Sequence, residues 1–494
     1  MTPMSMGLIG RDILAAPEDT PTSRPPQRRV LIIVVTVALA MAAYWLTRSS
    51  LNEMAARMLA ILIIAAVFWA TEVLPLFATA LVVIGLEVLL LASTGGLADV
   101  LTGLLTSLGL AVHLSPDVRP IAAGTFLNPF ASDVIILFMG GFLLSAAMTK
   151  HGVDKAIASI VLRPFTRSPL LLIYGLLGMS AFSSMWMSNT AAAAMMIAIA
   201  SPLVGIVPHG DRFLRAIFLA VAFGTNIGGI GTPIGTPPNA IAFGTLNAAG
   251  HKVTFLKWML VAVPLEILLL GITGLLLYAF FRPDQALKLG EIRPAQKLSA
   301  HGKAALVILW VTVLFWVTSG QHGLKPGITA LLAAAALAAL RVVDRRDVDS
   351  IAWSILILIW GGLSLGIGME QSGLTGYLWR IDLAAVPGGM WGVAILVTLV
   401  AVSMSTVMSN TASAALLVPM AMAIALPEPE LFVMLAALAC SFAMALPVST
   451  PPNAIAYATG HIPVAVMMRT GGLISIIAAG LMLIGYRIML PLLF

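Results

Sequence analysis

Charge is what this 494-residue chain has least of: Asp, Glu, Lys and Arg make up only 10% of it, against about 25% in soluble domains. With 60% hydrophobic residues, a soluble fold would expose more apolar surface than it could keep in solution. A soluble domain and a nucleic-acid-binding module are therefore excluded. Cysteine is nearly missing too. The lone Cys440 rules out an intramolecular disulfide and a cysteine-rich metal site, and its apolar setting reads as a small buried hydrophobe. No His-Glu-x-x-His or P-loop text occurs, so no zinc protease or ATP-driven pump is written here. The chain is not read as an enzyme, and no catalytic residue is expected.

What is present is long apolar text, with a mean hydropathy of +1.02. Runs such as 30–46 and 58–70 approach or reach the length that crosses a hydrocarbon core of roughly 30 Å. The sequence predicts spans near 30–47, 57–74, 76–94, 133–149, 254–281, 303–319, 326–341, 351–370 and 464–490. Four further apolar stretches, 168–207, 212–250, 388–426 and 430–460, carry polar, Gly-rich or Pro-rich text at their middles. Reading the first and third as re-entrant hairpins and the other two as crossings gives an all-α polytopic membrane protein with eleven transmembrane helices plus two hairpins. Under that arrangement 19 of the 27 Lys and Arg residues fall on cytoplasmic segments, as the positive-inside rule requires. The net charge of +6 then needs no nucleic acid to explain it. Residues 1–29 read as a polar cytoplasmic tail ahead of an uncleaved first helix. The C-terminus falls outside, and the compact loops point to a bacterial inner membrane.

The chain is also written twice. VIILFMGGFLLSAAMTKHG (134–152) aligns with ILILIWGGLSLGIGMEQSG (355–373) at an offset of 221, and Ser188-Asn189-Thr190 matches Ser409-Asn410-Thr411 at the same offset. GTPPNAIAFGT (235–245) then matches STPPNAIAYAT (449–459) at an offset of 214. Three blocks in one order define two repeats, 57–281 and 303–494. Each holds an odd number of crossings, so the second copy enters the membrane from the opposite side. Inverted repeats of this kind mark secondary transporters, whose sites lie near the midplane where the copies meet.

Non-helical backbone survives at membrane depth only when buried in protein or lining a wet cavity. The stretch GTNIGGIGTPIGTPPN (224–239) holds five Gly and three Pro, enough to interrupt a helix. Carbonyls freed there suit a hard monovalent cation, and amides at half-helix N-termini suit an anion. Ser, Thr and Asn add neutral oxygens and donors of both kinds. Neither motif contains Lys, Arg or His, so a bound dianion would be balanced by cations and helix dipoles. Glu87 and Glu266 stand in apolar text, where a carboxylate is costly and pairs with a hydroxyl or takes up a proton. The acidic and basic cluster 344–347 and the acidic PEPE (427–430) read as solvated loop charge, and the 26 Met residues as adaptable packing.

Paired Ser-Asn-Thr motifs with paired Thr-Pro-Pro-Asn breaks resemble the divalent anion/sodium symporter family of di- and tricarboxylate transporters. The similarity covers nearly all of the chain after the first helix, apart from the connection 95–132. The resemblance implies a homodimer in the lipid bilayer that moves a small di- or tricarboxylate with two Na⁺ by an elevator motion. It implies scaffold segments 30–165 and 282–387 and a transport domain made of 166–281 and 388–494. One sodium site would use Ser184, Ser188, Asn189 and the backbone of Gly235; the other would use Ser405, Asn410 and the backbone at Met408 and Ser449. Ser405 stands where relatives often have Thr, and the hydroxyl is kept. Substrate would meet Asn189, Thr190, Thr236 and Pro237 from one repeat, and Asn410, Thr411, Thr450 and Pro451 from the other. Succinate, malate or fumarate is the leading substrate class; a Na⁺-independent dicarboxylate or citrate exchanger and a sulfate transporter are the alternatives.

Overall fold

The computed structural model describes residues 25–92, 121–205, 207–208, 210–285, 287, 297–378, 386–423 and 428–493. The first 24 residues of the expected tail, and most of the 95–132 connection, lie outside them. Among the described residues the fold is α-helical, and the one β-like feature is an isolated bridge between Ala92 and Ile121.

In chain order the longer helices are α1 (Pro26–Thr47), α2 (Glu53–Thr71), α3 (Leu76–Leu90), α4 (Asp133–Lys150), α5 (Val153–Leu162), α6 (Pro169–Ser184), α7 (Asn189–Ala200), α8 (Phe213–Gly228) and α9 (Pro237–Ala248). They continue as α10 (Phe255–Phe280), α11 (Ala300–Val317), α12 (Pro326–Ala339), α13 (Trp353–Gln371), α14 (Met390–Val407), α15 (Asn410–Ala423), α16 (Pro429–Cys440), α17 (Pro451–Ala458) and α18 (Val464–Leu493). Among the described residues, eight helical segments are long and apolar enough to cross a membrane. Each of the four ambiguous stretches resolves into two helices flanking a break: α6/α7, α8/α9, α14/α15 and α16/α17. The breaks fall at the polar or Gly/Pro text that marked them.

The two repeats are interleaved. Helix α3 of the first packs on α13 of the second, and α12 of the second packs on α4 of the first. Both crossings rest on a small residue. A side chain at Gly361 would strike the Cα and Cβ of Ala80, and one at Gly140 would strike the carbonyl of Ala330. Gly140 and Gly361 share the 221 offset, so the same close approach is built twice. Helices in lipid associate by such backbone proximity, because no hydrophobic driving force separates them from the tails.

Three of the expected loop charges are not free. Asp344 and Asp347 form a capping box on the short helix Arg345–Asp349, and both accept from Lys150 Nζ, at 2.9 and 2.6 Å. Glu430 is half-buried and pairs with His251 of the other repeat at 2.6 Å. A sequence window cannot show these pairs, since each joins residues nearly two hundred positions apart.

Gly361→Val should lower the thermal stability of the detergent-purified protein by about 1–3 kcal/mol through overpacking. Gly362→Ala adds a methyl that meets nothing nearer than Ile241 Cγ2 at 3.6 Å, and should leave stability unchanged or raise it by up to about 1 kcal/mol. Melting curves followed by size-exclusion chromatography compare the two.

Candidate functional site

Each Ser-Asn-Thr motif starts a helix. Ser188 is the N-cap of α7, its Oγ accepting from the Ala191 N–H at 3.2 Å. Ser409 does the same for α15, accepting from the Ala412 N–H at 3.1 Å. Ser is a preferred N-cap, and the Asn and Thr that follow occupy the first turn, where backbone N–H groups have no intrahelical partner. Thr236 and Thr450 are the N-caps of α9 and α17, each followed by two prolines. Proline suits the first helical position because its missing N–H would be an orphan there anyway.

Four helix N-termini, two from each repeat, thus meet at one cavity of about 230 Å³. Ser188, Asn189, Thr190, Gly235, Thr236 and Pro237 line it from the first repeat; Ser409, Asn410, Thr411, Ser449, Thr450 and Pro451 line it from the second. The opposite wall is Leu76, Phe77, Phe138, Phe142, Ile355 and Leu358, with Ser354 as its one polar side chain. No Lys, Arg or His touches this cavity. Its positive character comes from the helix ends, each equivalent to about half a charge. All eight residues predicted to meet substrate are brought together. The apolar wall escaped the sequence reading, because nothing in an ordinary spanning helix marks the residues that face a site.

Behind the cavity lie two clusters of neutral oxygens. Ser184 Oγ donates to Asn189 Oδ1 at 2.6 Å, and Ser405 Oγ donates to Asn410 Oδ1 at the same distance. Ser405 Oγ also reaches the Cys440 carbonyl. Gly235 sits against the carbonyls of Gly229 and Ser184 with no room for a Cβ. Ser449 Oγ donates to the Thr406 carbonyl at 2.9 Å. Met408 closes α14 in extended conformation, which turns its backbone out of the helix. Each cluster is hydroxyl, amide and carbonyl oxygen without charge or sulfur, a donor set that fits a hard cation. The described residues contain no group of three or more His, Cys, Asp or Glu able to hold a transition metal.

The breaks need their own support. Asn239 Nδ2 lies within bonding distance of the carbonyls of Gly229 at 3.0 Å, Ile230 at 3.3 Å and Thr232 at 2.8 Å. Asn453 Nδ2 does likewise for Met444 at 3.1 Å and Leu446 at 3.0 Å. A buried carbonyl left without a partner costs about 1–3 kcal/mol, so these amides hold the unwound backbone in shape. Trp258 Nε1 adds a bond to Ile230 O in the first break, and Ser475 Oγ one to Phe442 O in the second. The last Asn of each Thr-Pro-Pro-Asn motif is therefore a clamp behind the cavity, a role the sequence reading did not assign.

Neither buried glutamate reaches the cavity. Glu87 is fully buried between α3 and α13, where Ser364 Oγ donates to its Oε2. Glu266 on α10 lies against Gly231 of the first break, with its Oε2 unbonded. The hydroxyl partner expected of such a residue exists for Glu87 alone. Trp186, beside the first motif, shares a crevice with Phe138 and Phe142.

The sequence pattern of the sodium:sulfate symporter transmembrane region matches residues 27–493. A protein of Staphylococcus aureus named sodium-dependent dicarboxylate transporter SdcS is 30% identical over 474 residues, covering 88% of this chain and 85% of that one. An uncharacterized transporter of Haemophilus influenzae is 31% identical over 417 residues, covering 80% of this chain and 88% of its own. Among solved structures, the YdaH transporter of Alcanivorax borkumensis is similar with a TM-score of 0.51 and 13% identity, over 85% of this chain and 97% of that one; it speaks to the fold alone. The motifs, the helical architecture and the match along almost the whole chain agree: this protein belongs to the sodium:sulfate symporter family, the divalent anion/sodium symporters, and is a membrane transporter rather than an enzyme.

Proposed function

We propose that the chain carries a C4-dicarboxylate such as succinate, malate or fumarate across a bacterial inner membrane, coupled to Na⁺. One observation carries the reading: four helix N-termini and two clusters of neutral oxygens surround a cavity that has no basic side chain. A dianion entering that space leaves water for a region of low dielectric, which is prohibitive without compensating charge. Two Na⁺, one in each cluster, supply it, and the helix ends add directional donors. The two carboxylates of a C4 acid match the two-fold arrangement. One faces the α7 and α9 ends, and the other faces the α15 and α17 ends.

Ser184, Ser188, Asn189 and Gly235 hold the first Na⁺; Ser405, Met408, Asn410 and Ser449 hold the second. Asn189 and Asn410 face both ion and substrate, so cation binding finishes the anion site. The relatives named for sodium-dependent dicarboxylate transport support this choice of ion and cargo. Helices outside 166–281 and 388–494 act as a scaffold that carries the contact with a second copy. The transport domain slides past that scaffold as a rigid body, with the N-terminus inside and the C-terminus outside. The apolar wall suits this motion, since a scaffold face with Ser354 as its one polar side chain gives anion and ion little to hold.

Uptake of labelled succinate into proteoliposomes should require an inward Na⁺ gradient. Asn189→Ala and Asn410→Ala should each lower it on the order of 10–100-fold, the scale seen when an ion site loses an orienting group. Accumulation that ignores Na⁺ but needs internal succinate identifies an exchanger instead, and competition by sulfate in place of succinate redirects the substrate.

The sliding motion has its own test. An ideal Cβ at Gly141 of α4 lies 3.6 Å from Ile234 Cδ1 in the first break. In a Cys440→Ala background, Gly141→Cys with Ile234→Cys, bridged by Hg²⁺, should stop uptake. A free thiol should restore it. Bridged protein that transports normally excludes movement between these two elements.

A further inference from the structure

A hydrogen bond joins the two breaks. Asn226, near the end of α8 and just before the first break, donates from Nδ2 to Asn453 Oδ1 at 2.9 Å. Asn453 is the clamp of the second break, holding the Met444 and Leu446 carbonyls, and its own N–H bonds to Thr450 Oγ1 at 3.3 Å. Both asparagines are buried, at 1% and 0% exposure, so water does not compete for the bond. At one end of it, the chain runs three residues to Gly229, whose carbonyl lies against Gly235 of the first oxygen cluster. At the other end stand Thr450 and Ser449 of the second.

The mirror-image link is missing. The counterpart of Asn453 at the 214 offset is Asn239, which clamps its own break in the same way. The counterpart of Asn226 is Cys440. Accordingly, Asn239 Oδ1 is buried without a partner, and Cys440 is a free buried thiol. Symmetry alone would give two links or none. The chain has one, at a position where an amide is costly unless it is bonded.

We propose that Asn226 is a positioning residue that couples the two sodium sites. Through Asn453, the shape of one break biases the shape of the other, so occupying one site favours occupying the second. Coupling of this sort is a free energy shared equally by both sites. The inference rests on the reading of two sodium sites given above and adds the path between them.

The experiment is a Na⁺ titration of succinate uptake in proteoliposomes for wild type, Asn226→Ala, and Asn226→Ala with Cys440→Asn. Wild type should respond to Na⁺ with a Hill coefficient approaching about 2, the number of sites. Asn226→Ala should lower it below the wild-type value and raise half-saturating Na⁺ about fivefold or more, the low end of ordinary coupling, with uptake at saturating Na⁺ little changed. Adding Cys440→Asn sets an amide at the mirror position, at the end of α16, which packs against the α9 helix of Asn239, and should bring the Hill coefficient back. Should Asn226→Ala not reach the membrane, Asn226→Ser takes its place, because its hydroxyl is too short to reach Asn453.

A wild-type Hill coefficient retained by the Asn226 variant overturns the proposal. So does a lost coefficient that the added Cys440→Asn fails to restore, which assigns the loss to an empty cavity instead of a broken link. Wild-type uptake with a Hill coefficient of about 1 overturns the coupling while leaving the Na⁺ reading intact. Wild-type uptake indifferent to Na⁺ removes the sodium sites themselves.

Discussion

Everything in this protein follows from aiming four helix N-termini at one point inside a membrane. A helix end can be there only if the helix starts there, and starting a helix at that depth exposes backbone that lipid cannot satisfy. The α6/α7 and α14/α15 turns meet the requirement with a Ser N-cap and four or two residues between the helices. The α8/α9 and α16/α17 breaks meet it with Pro at the first helical positions and an Asn whose amide gathers the freed carbonyls. Remove the amides and the breaks have no reason to keep their shape; remove the breaks and the cavity has no positive wall.

The interleaved repeats explain how such costly backbone is kept in place. Each copy lends a helix to the other, at crossings where Gly140 meets Ala330 and Gly361 meets Ala80. The helices that flank the breaks pack across the repeats as well: α7 and α8 on α17, and α9 on α15. No polar break therefore faces lipid alone. The two copies are similar without being equal. Trp258 and Glu266 back the first break where Ser475 backs the second, so the sites differ in surroundings while sharing their inner oxygens.

Much of this was legible in the text. Spans follow from apolar runs, breaks from Gly and Pro, and the paired sites from two offsets that any reader can count. What stayed hidden has a common cause. The role of Asn239 is set by carbonyls seven to ten residues away across an unwound turn, and that of Asn226 by a residue 227 positions distant. Phe77 and Phe138 look like any apolar residue of a spanning helix until the fold turns them to the cavity. Glu430 read as solvated charge because its partner, His251, belongs to the other repeat. Periodicity reports which face of an element is buried, and it is silent on what lies opposite.

The walls of the cavity contain no group that gains or loses a proton near neutral pH. On the proposed reading, its affinity for a given ionic form of the cargo is then fixed, whatever the acidity of the medium. Acidifying the outside changes what is offered for carriage more than it changes the carrier: a succinate that has picked up one proton presents a single charge to a space arranged for two. The acid–base chemistry of the cargo itself would sort its charge states, and a cell in acidic surroundings would find the route closing because the dianion grows scarce.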